Sequence, residues 1–172
     1  MGRKILHLTS TYLTHDGAAQ CLIKIVRHEL EKGYEPAVIF PKEGPASDFY
    51  KSIGVPVYII PYLRISSKGG WKYRAAFPWK FFRSARQMAR LIRQEGIDLV
   101  HVNEIIDFNG LMAAKWNGIP SIMHVRLILE RPAWLKSILT RAALHYADRI
   151  LCVSDAVRQM MFSNQDPGQV KV

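Results

Sequence analysis

The chain is short of cysteine, short of acid and without a long apolar run. Only two cysteines, Cys21 and Cys152, occur in 172 residues. Neither belongs to a C-x-x-C pair or a His/Cys cluster, so no metal site and no disulfide framework is expected. Both lie in apparent core segments and read as buried thiols of a reducing compartment. No apolar stretch reaches the length of a membrane span; Ile53–Leu63 is too short and carries two prolines. The N-terminus lacks a secretory apolar region. A cytoplasmic protein is expected, with peripheral contact at the inner face of the cytoplasmic membrane left open. Neither G-x-G-x-x-G nor G-x-x-x-x-G-K-[ST] is present, which argues against a dinucleotide-dependent oxidoreductase and a P-loop nucleotidase.

Acid is scarce enough to matter. Fourteen Asp and Glu face 24 Lys and Arg, for a net charge of +10. Such a balance points to an anionic partner, whether lipid, phosphorylated metabolite or nucleic acid. Composition is otherwise that of a globular protein, 49% hydrophobic and 22% charged. The length suits one domain with a sizeable core.

Hydrophobic patterning alternates strand and helix. Strands are expected at Lys4–Thr9, Ala37–Phe40, Val55–Ile60, Asp98–Val102, Ser121–Val125 and Arg149–Val153. Helices are expected at Gly17–Lys32, with Cys21, Ile25 and Leu30 on its apolar side, then Pro45–Ile53, Ile105–Trp116, Trp134–Ala147 and Asp155–Phe162. This is an α/β, Rossmann-like pattern: a parallel sheet with helices on both faces. Gln169–Val172 reads as the onset of one more strand, so the chain is read as a piece of a longer protein.

The stretch Asp98–Arg126 carries the main functional expectation. It reads as strand, loop, helix, strand, with Ile105, Phe108, Met112 and Trp116 at helical spacing and Asn117-Gly118 as its stop. Two strands joined by a helix run parallel, and ligands of such sheets sit beyond the strand carboxyl ends. His101-Val102-Asn103-Glu104 and His124-Val125-Arg126 should therefore face one crevice. Asn103, Glu104, His124 and Arg126 are candidate ligand-binding residues, although satisfied core or rim positions are the commoner fate of strand histidines such as His101 and His124. The permanently charged planar fork of Arg126 suits phosphate or carboxylate. Ser154 opens the helix after the Arg149–Val153 strand, as ligand or as plain N-cap.

Asp16, Gly17 and Ala18 form the first strand–helix junction. Small residues there admit a phosphate to the helix N-terminus. Asp16 also suits an N-cap, and its charge opposes phosphate.

Residues 64–94 hold no acid. Here Trp71, Lys72, Arg74, Trp79, Lys80, Arg83, Arg86, Arg90 and Arg93 interleave cations with aromatics. From Trp79 onward Arg83, Arg86, Arg90 and Arg93 form one helical stripe, opposite Phe81, Ala85, Met88 and Ile92. A solvated helix face explains the stripe alone. The aromatic lead-in favours an anionic membrane surface. Stacking on single-stranded nucleic acid is the weaker alternative. Glu35 and Glu43 have the spacing of a glycosyltransferase glutamate pair, but they flank a strand with no nucleotide-binding helix between them, so the match is set aside.

Four segments in order resemble the N-terminal domain of family-4 retaining glycosyltransferases, which have the two-domain GT-B fold. Asp16–Lys32 followed by Gly33-Tyr34-Glu35-Pro36-Ala37-Val38 is similar to the family's glycine loop, long helix and second strand. Asp98-Leu99-Val100-His101-Val102-Asn103 resembles its D-V-V-H-x-H. Gly118-Ile119-Pro120 through Arg126 resembles a G-I-P-V-V strand leading to a histidine, and Ala147–Asp155 resembles A-D-x-I-I-A-V-S-E. Arg126 stands at the family's sugar-contacting histidine, Asn103 at the second histidine of the H-x-H, Asp16 at the loop's first glycine, and Ala19 at its glutamate.

The resemblance implies an acceptor-binding half of an enzyme that moves a sugar, with retention, from a nucleotide sugar to a polysaccharide, lipopolysaccharide or glycolipid. No cofactor is implied; the donor would be bound mainly by a C-terminal domain, the partner of this one. The implied acceptor is a sugar or lipid-linked sugar, held by Asn103, Glu104, His124, Arg126 and Ser154. Alone, the chain is expected to bind acceptor weakly and turn over nothing. The rival class is a non-catalytic basic α/β module docking on an anionic partner.

Overall fold

The computed structural model describes residues 2–65, 70–128, 132–162 and 168–172, with the side chain of Arg74 and residues 66–69 outside that description. Among these residues seven strands form one all-parallel sheet: β1 Lys4–Leu8, β2 Glu35–Phe40, β3 Val57–Ile59, β4 Leu99–Val102, β5 Ser121–Val125, β6 Arg149–Cys152 and β7 Val170–Lys171. The spatial order is β3-β2-β1-β4-β5-β6-β7. The chain winds outward from β1 in one direction and from β4 in the other. The boundary between β1 and β4 is thus the topological switch point where open α/β sheets take ligands.

Among the described residues six helices connect the strands: α1 Gly17–Glu31, α2 Pro45–Ser52, α3 Trp71–Glu95, α4 Asn109–Asn117, α5 Ala133–Tyr146 and α6 Asp155–Phe162. Leu22, Ile23 and Val26 of α1 pack with Val38, Phe40, Ala46 and Tyr50 on one side of the sheet. Leu6, Leu8, Val100, Val102, Met123 and Val125 face the other side, against Met88 and Ile92 of α3, Leu111 of α4 and Leu139 of α5. Alternate residues of β1, β4 and β5 therefore point toward α1, and His7, His101 and His124 are among them.

Four expectations need correction. The helix before β5 starts at Asn109, not Ile105. Residues Ile105, Ile106 and Phe108 instead form a buried turn, closed by Asp107 N donating to Glu104 O at 3.0 Å. Their helical spacing reflects burial rather than helix. Trp116, placed on that helix's apolar side, is 46% exposed. Cys21 is exposed, and only Cys152 is a buried thiol. The buried stripe of α1 is Ala19, Leu22, Ile23 and Val26, one step round from the expected Cys21 and Leu30. The aromatic lead-in belongs to α3, which starts at Trp71 and carries Pro78 inside it. The arginine stripe is as expected: Phe81, Ala85, Met88 and Ile92 are buried, and Arg83, Arg86, Arg90 and Arg93 are exposed.

Candidate functional site

The carboxyl ends of β1, β4 and β5 bring three groups of residues together. Register pairs Leu8 with Val102 and Val102 with Met123, so Asn103 emerges between the tips of its neighbours. Asn103 is fully buried. It donates from Nδ2 to Ala18 O in the first turn of α1, at 3.4 Å. Its Oδ1 accepts from Arg126 twice, from Nε at 3.3 Å and Nη2 at 3.2 Å. The guanidinium of Arg126 thus sits beside the α1 N-terminus, joined to it through one amide.

Glu104 follows on the rim, half-buried. Burial raises its carboxyl above the usual range, Asp16 adds to that, and the charges of Arg64 and Arg126 pull it back. Two cations and two acids therefore ring the mouth of the α1 turn. Asp16 is the N-cap of α1: its Oδ1 accepts from Ala19 N at 2.7 Å. That satisfies one of the orphan donors of the first turn. A Cβ placed at Gly17 would meet nothing within 4 Å, so the turn opens on free space.

Among the described residues Ser154 makes no hydrogen bond to this group. Its hydroxyl accepts from Val157 N at 3.3 Å, as the N-cap of α6. Lys80 and Arg83 of α3 line, with Pro61, Tyr62, Leu63 and Gln87, a hollow of about 260 Å³ that shares no lining residue with this group.

Behind the rim runs a chain of imidazoles, His7 and His101 buried and His124 half-buried, that the sequence reading did not assemble. His7 Nδ1 is 2.8 Å from His101 Nδ1, and His101 Nε2 is 2.7 Å from His124 Nδ1. At the inner end, His7 Nε2 is 2.7 Å from Glu29 Oε2 of α1. At the outer end, His124 Nδ1 is 3.3 Å from Arg126 Nη2. Burial pushes the His101 ring well below the usual histidine range, with His7, His124 and Arg126 adding to the effect. Burial, then Arg126 and His7, lower His124 to about 4. Each of these two rings carries one proton near neutrality. The signal was present: KILHL, LVHV and SIMHV place one histidine late in each of three strands. Finding it required the strand order, which puts β1 next to β4.

Asp107 was also missed. It is fully buried in the turn before α4, and its Oδ2 accepts from Ser10 N at 2.8 Å. Its Oδ1 has no hydrogen-bond partner among the described residues. Burial raises this carboxyl to about 7, and Glu104 adds to that, against the lowering effect of the Ser10 hydrogen bonds and Arg64. It braces the end of β1 against the β4 loop.

Among the described residues, no group of three or more His, Cys, Asp or Glu is placed to hold a metal. No helix among them is long and apolar enough to cross a membrane.

No curated protein matches the sequence significantly. Solved structures match the fold. HepE of Anabaena, solved with UDP and glucose, superposes with a TM-score of 0.72 at 18% identity, over 99% of this chain and 44% of that one. A glycosyltransferase of Rickettsia africae gives 0.76 at 17% identity, over 99% and 42%. The lipopolysaccharide outer core galactosyltransferase WaaB gives 0.68 at 14% identity, over 98% and 44%. The chain thus spans less than half the length of each of these structures. Its sheet and helices are those of the N-terminal half of the GT-B fold. The sequence profile of Glycosyltransferase Family 4 matches residues 15–172, and the chain belongs to that family.

Proposed function

We propose that the chain is the acceptor-facing half of a retaining glycosyltransferase, which moves a sugar from a nucleotide donor to a cell-surface polysaccharide, lipopolysaccharide or glycolipid. The observation that carries this reading is the convergence of Arg126, Asn103 and the α1 turn at the sheet's switch point. HepE, solved with UDP and glucose, and WaaB, a lipopolysaccharide galactosyltransferase, share this fold and support the substrate class.

The roles follow from the chemistry of the side chains. Arg126 offers a planar, permanently charged donor face to a sugar hydroxyl or a diphosphate oxygen. It cannot act as acid or base near neutrality. Glu104, between Arg64 and Arg126, accepts from acceptor hydroxyls. His124 lines the inner wall. Gly17 and Ala18 leave the α1 N-terminus open to the leaving phosphate, with Asp16 restricting how close that phosphate comes. In this reading neither Glu104 nor Asp16 attacks the sugar, and retention has the departing phosphate take the acceptor proton on the same face. This half then contributes electrostatic preorganisation. A C-terminal nucleotide-sugar domain supplies the donor site, and the enzyme works at the cytoplasmic face of a membrane.

The test is a titration of the 172-residue chain with acceptor oligosaccharides and with UDP-glucose, followed by amide shifts. Acceptor should perturb residues 103, 104 and 126 with weak affinity, and no sugar transfer should occur. Sugar transfer by the chain alone, or acceptor shifts confined to other surfaces, would refute the assignment.

A further inference from the structure

The imidazole chain has two ends that constrain its protons. A carboxylate only accepts, so Glu29 requires an N–H at His7 Nε2. A guanidinium only donates, so Arg126 requires a lone pair at His124 Nδ1. His101 must then donate from Nε2 and accept at Nδ1. His7 must donate from Nδ1 as well, so it holds protons on both nitrogens. His124 Nδ1 has one lone pair, which the shorter contact from His101 Nε2 and the longer one from Arg126 Nη2 share; a donor faces a lone pair at every link only when His7 is an imidazolium paired with Glu29. With His7 neutral, polarity reverses: His101 and His124 each donate from Nδ1 toward Glu29, and the N–H of His124 faces the guanidinium of Arg126.

We propose that Glu29 and His7 are positioning residues for Arg126, one proton on His7 setting the hydrogen-bond polarity of His101 and His124 and thereby holding or releasing the guanidinium at the cleft. The consequence for sugar binding rests on the proposed function; the relay itself does not. The contacts are short, 2.7–2.8 Å for the three inner links, and His7 and His101 are buried. Other charges face the ends rather than the middle. Tyr50 of α2 lies near Glu29. Glu104 lies near Arg126, Arg64 and Asp16. A second contact with Asn103 retains Arg126 in part when His124 lets go.

The experiment is long-range proton–nitrogen NMR of the imidazoles in the whole chain. In the parent chain a doubly protonated His7 should be found together with His101 and His124 as Nε2–H tautomers. Raising the pH should convert all three rings at one shared midpoint. Glu29→Gln removes the counter-charge and should switch His124 to the Nδ1–H tautomer, although two rings separate it from position 29. A neutral His7 in the parent chain, separate midpoints, or an unchanged His124 tautomer in a folded variant would overturn the proposal. If the variant does not fold, the titration of the parent chain decides alone. Loss of acceptor binding would leave these spectra unaffected, so failure of the proposed function is read separately.

Discussion

Arg126 and Asn103 are joined by two hydrogen bonds, at 3.2 and 3.3 Å, both ending on the same amide oxygen. Because the amide nitrogen also reaches Ala18 O, one fully buried residue fixes the distance between guanidinium and helix terminus. Asn103→Ala leaves Ala18 O and Arg126 without this partner. A cost of about 1–3 kcal/mol is expected in urea unfolding. Acceptor affinity should fall as well, because Arg126 loses its orientation. Asn103→Asp should keep Arg126 in place but lose the link to Ala18, so its affinity loss should be smaller.

Gly110 of α4 packs directly against β1 and β4 side chains. A Cβ there would stand 2.8 Å from Leu8 Cδ2 and 3.0 Å from Val102 Cγ2, both on fully buried side chains. Overpacking of this kind costs about 1–3 kcal/mol. The gain in helix propensity, at most about 1 kcal/mol, does not offset it in the first turn. Gly110→Ala should therefore lower the urea midpoint and shift the amide signals of Thr9 and Asn103, just beyond the displaced side chains. Gly17→Ala is the control: with open space around it, the urea midpoint should hold or rise.

The strands were legible because a parallel sheet buried on both sides writes itself as short apolar runs between helices. Arg126 and Asn103 were legible for a related reason, since each follows such a run directly. The α4 boundary was not. Ile105, Ile106 and Phe108 are buried in a turn, and burial alone mimics the apolar spacing of a helix. The imidazole chain was hidden because it links residues up to 94 positions apart, through a β1–β4 pairing that chain order does not reveal.

Asp107 gives the stability a distinctive pH dependence. Its folded-state pKa is raised, from 3.8 to about 7, so the folded protein holds a proton that the unfolded chain releases. Stability from this group falls as pH rises across that window, by about 1.4 kcal/mol per pH unit. His124, lowered to about 4, works in the opposite sense and adds stability as pH rises to 6.5. His101 is lowered too and acts the same way. The two trends mask each other in the parent protein. Asp107→Asn keeps an oxygen for Ser10 N and removes the titration, so the histidine contributions cancel in the comparison. The variant should gain on the parent steadily between pH 4 and 7, and no further above it. Urea midpoints at intervals of one pH unit would show it, and a pH-independent difference would rule it out.

The outer face of α3 leads to a prediction about membranes. Arg83, Arg86 and Arg90 are exposed, and none has a hydrogen bond or ion pair among the described residues. Arg93 spends part of its reach on Asn117 Oδ1, at 3.1 Å. Trp71 and Trp79, at 76% and 68% exposure, stand near the start of the same helix, with Phe82 at 44%. Exposed indoles beside cations are what an anionic headgroup layer binds. Each cation near such a surface contributes about 1 kcal/mol, and the attraction is screened by salt. Replacing Arg83, Arg86, Arg90 and Arg93 together with Gln should abolish co-sedimentation with anionic vesicles. Trp71→Ala with Trp79→Ala should weaken it while leaving its salt dependence intact. Neutral vesicles should carry down little of the parent protein; equal binding to neutral and anionic vesicles would show that the arginine stripe is only a solvated helix face.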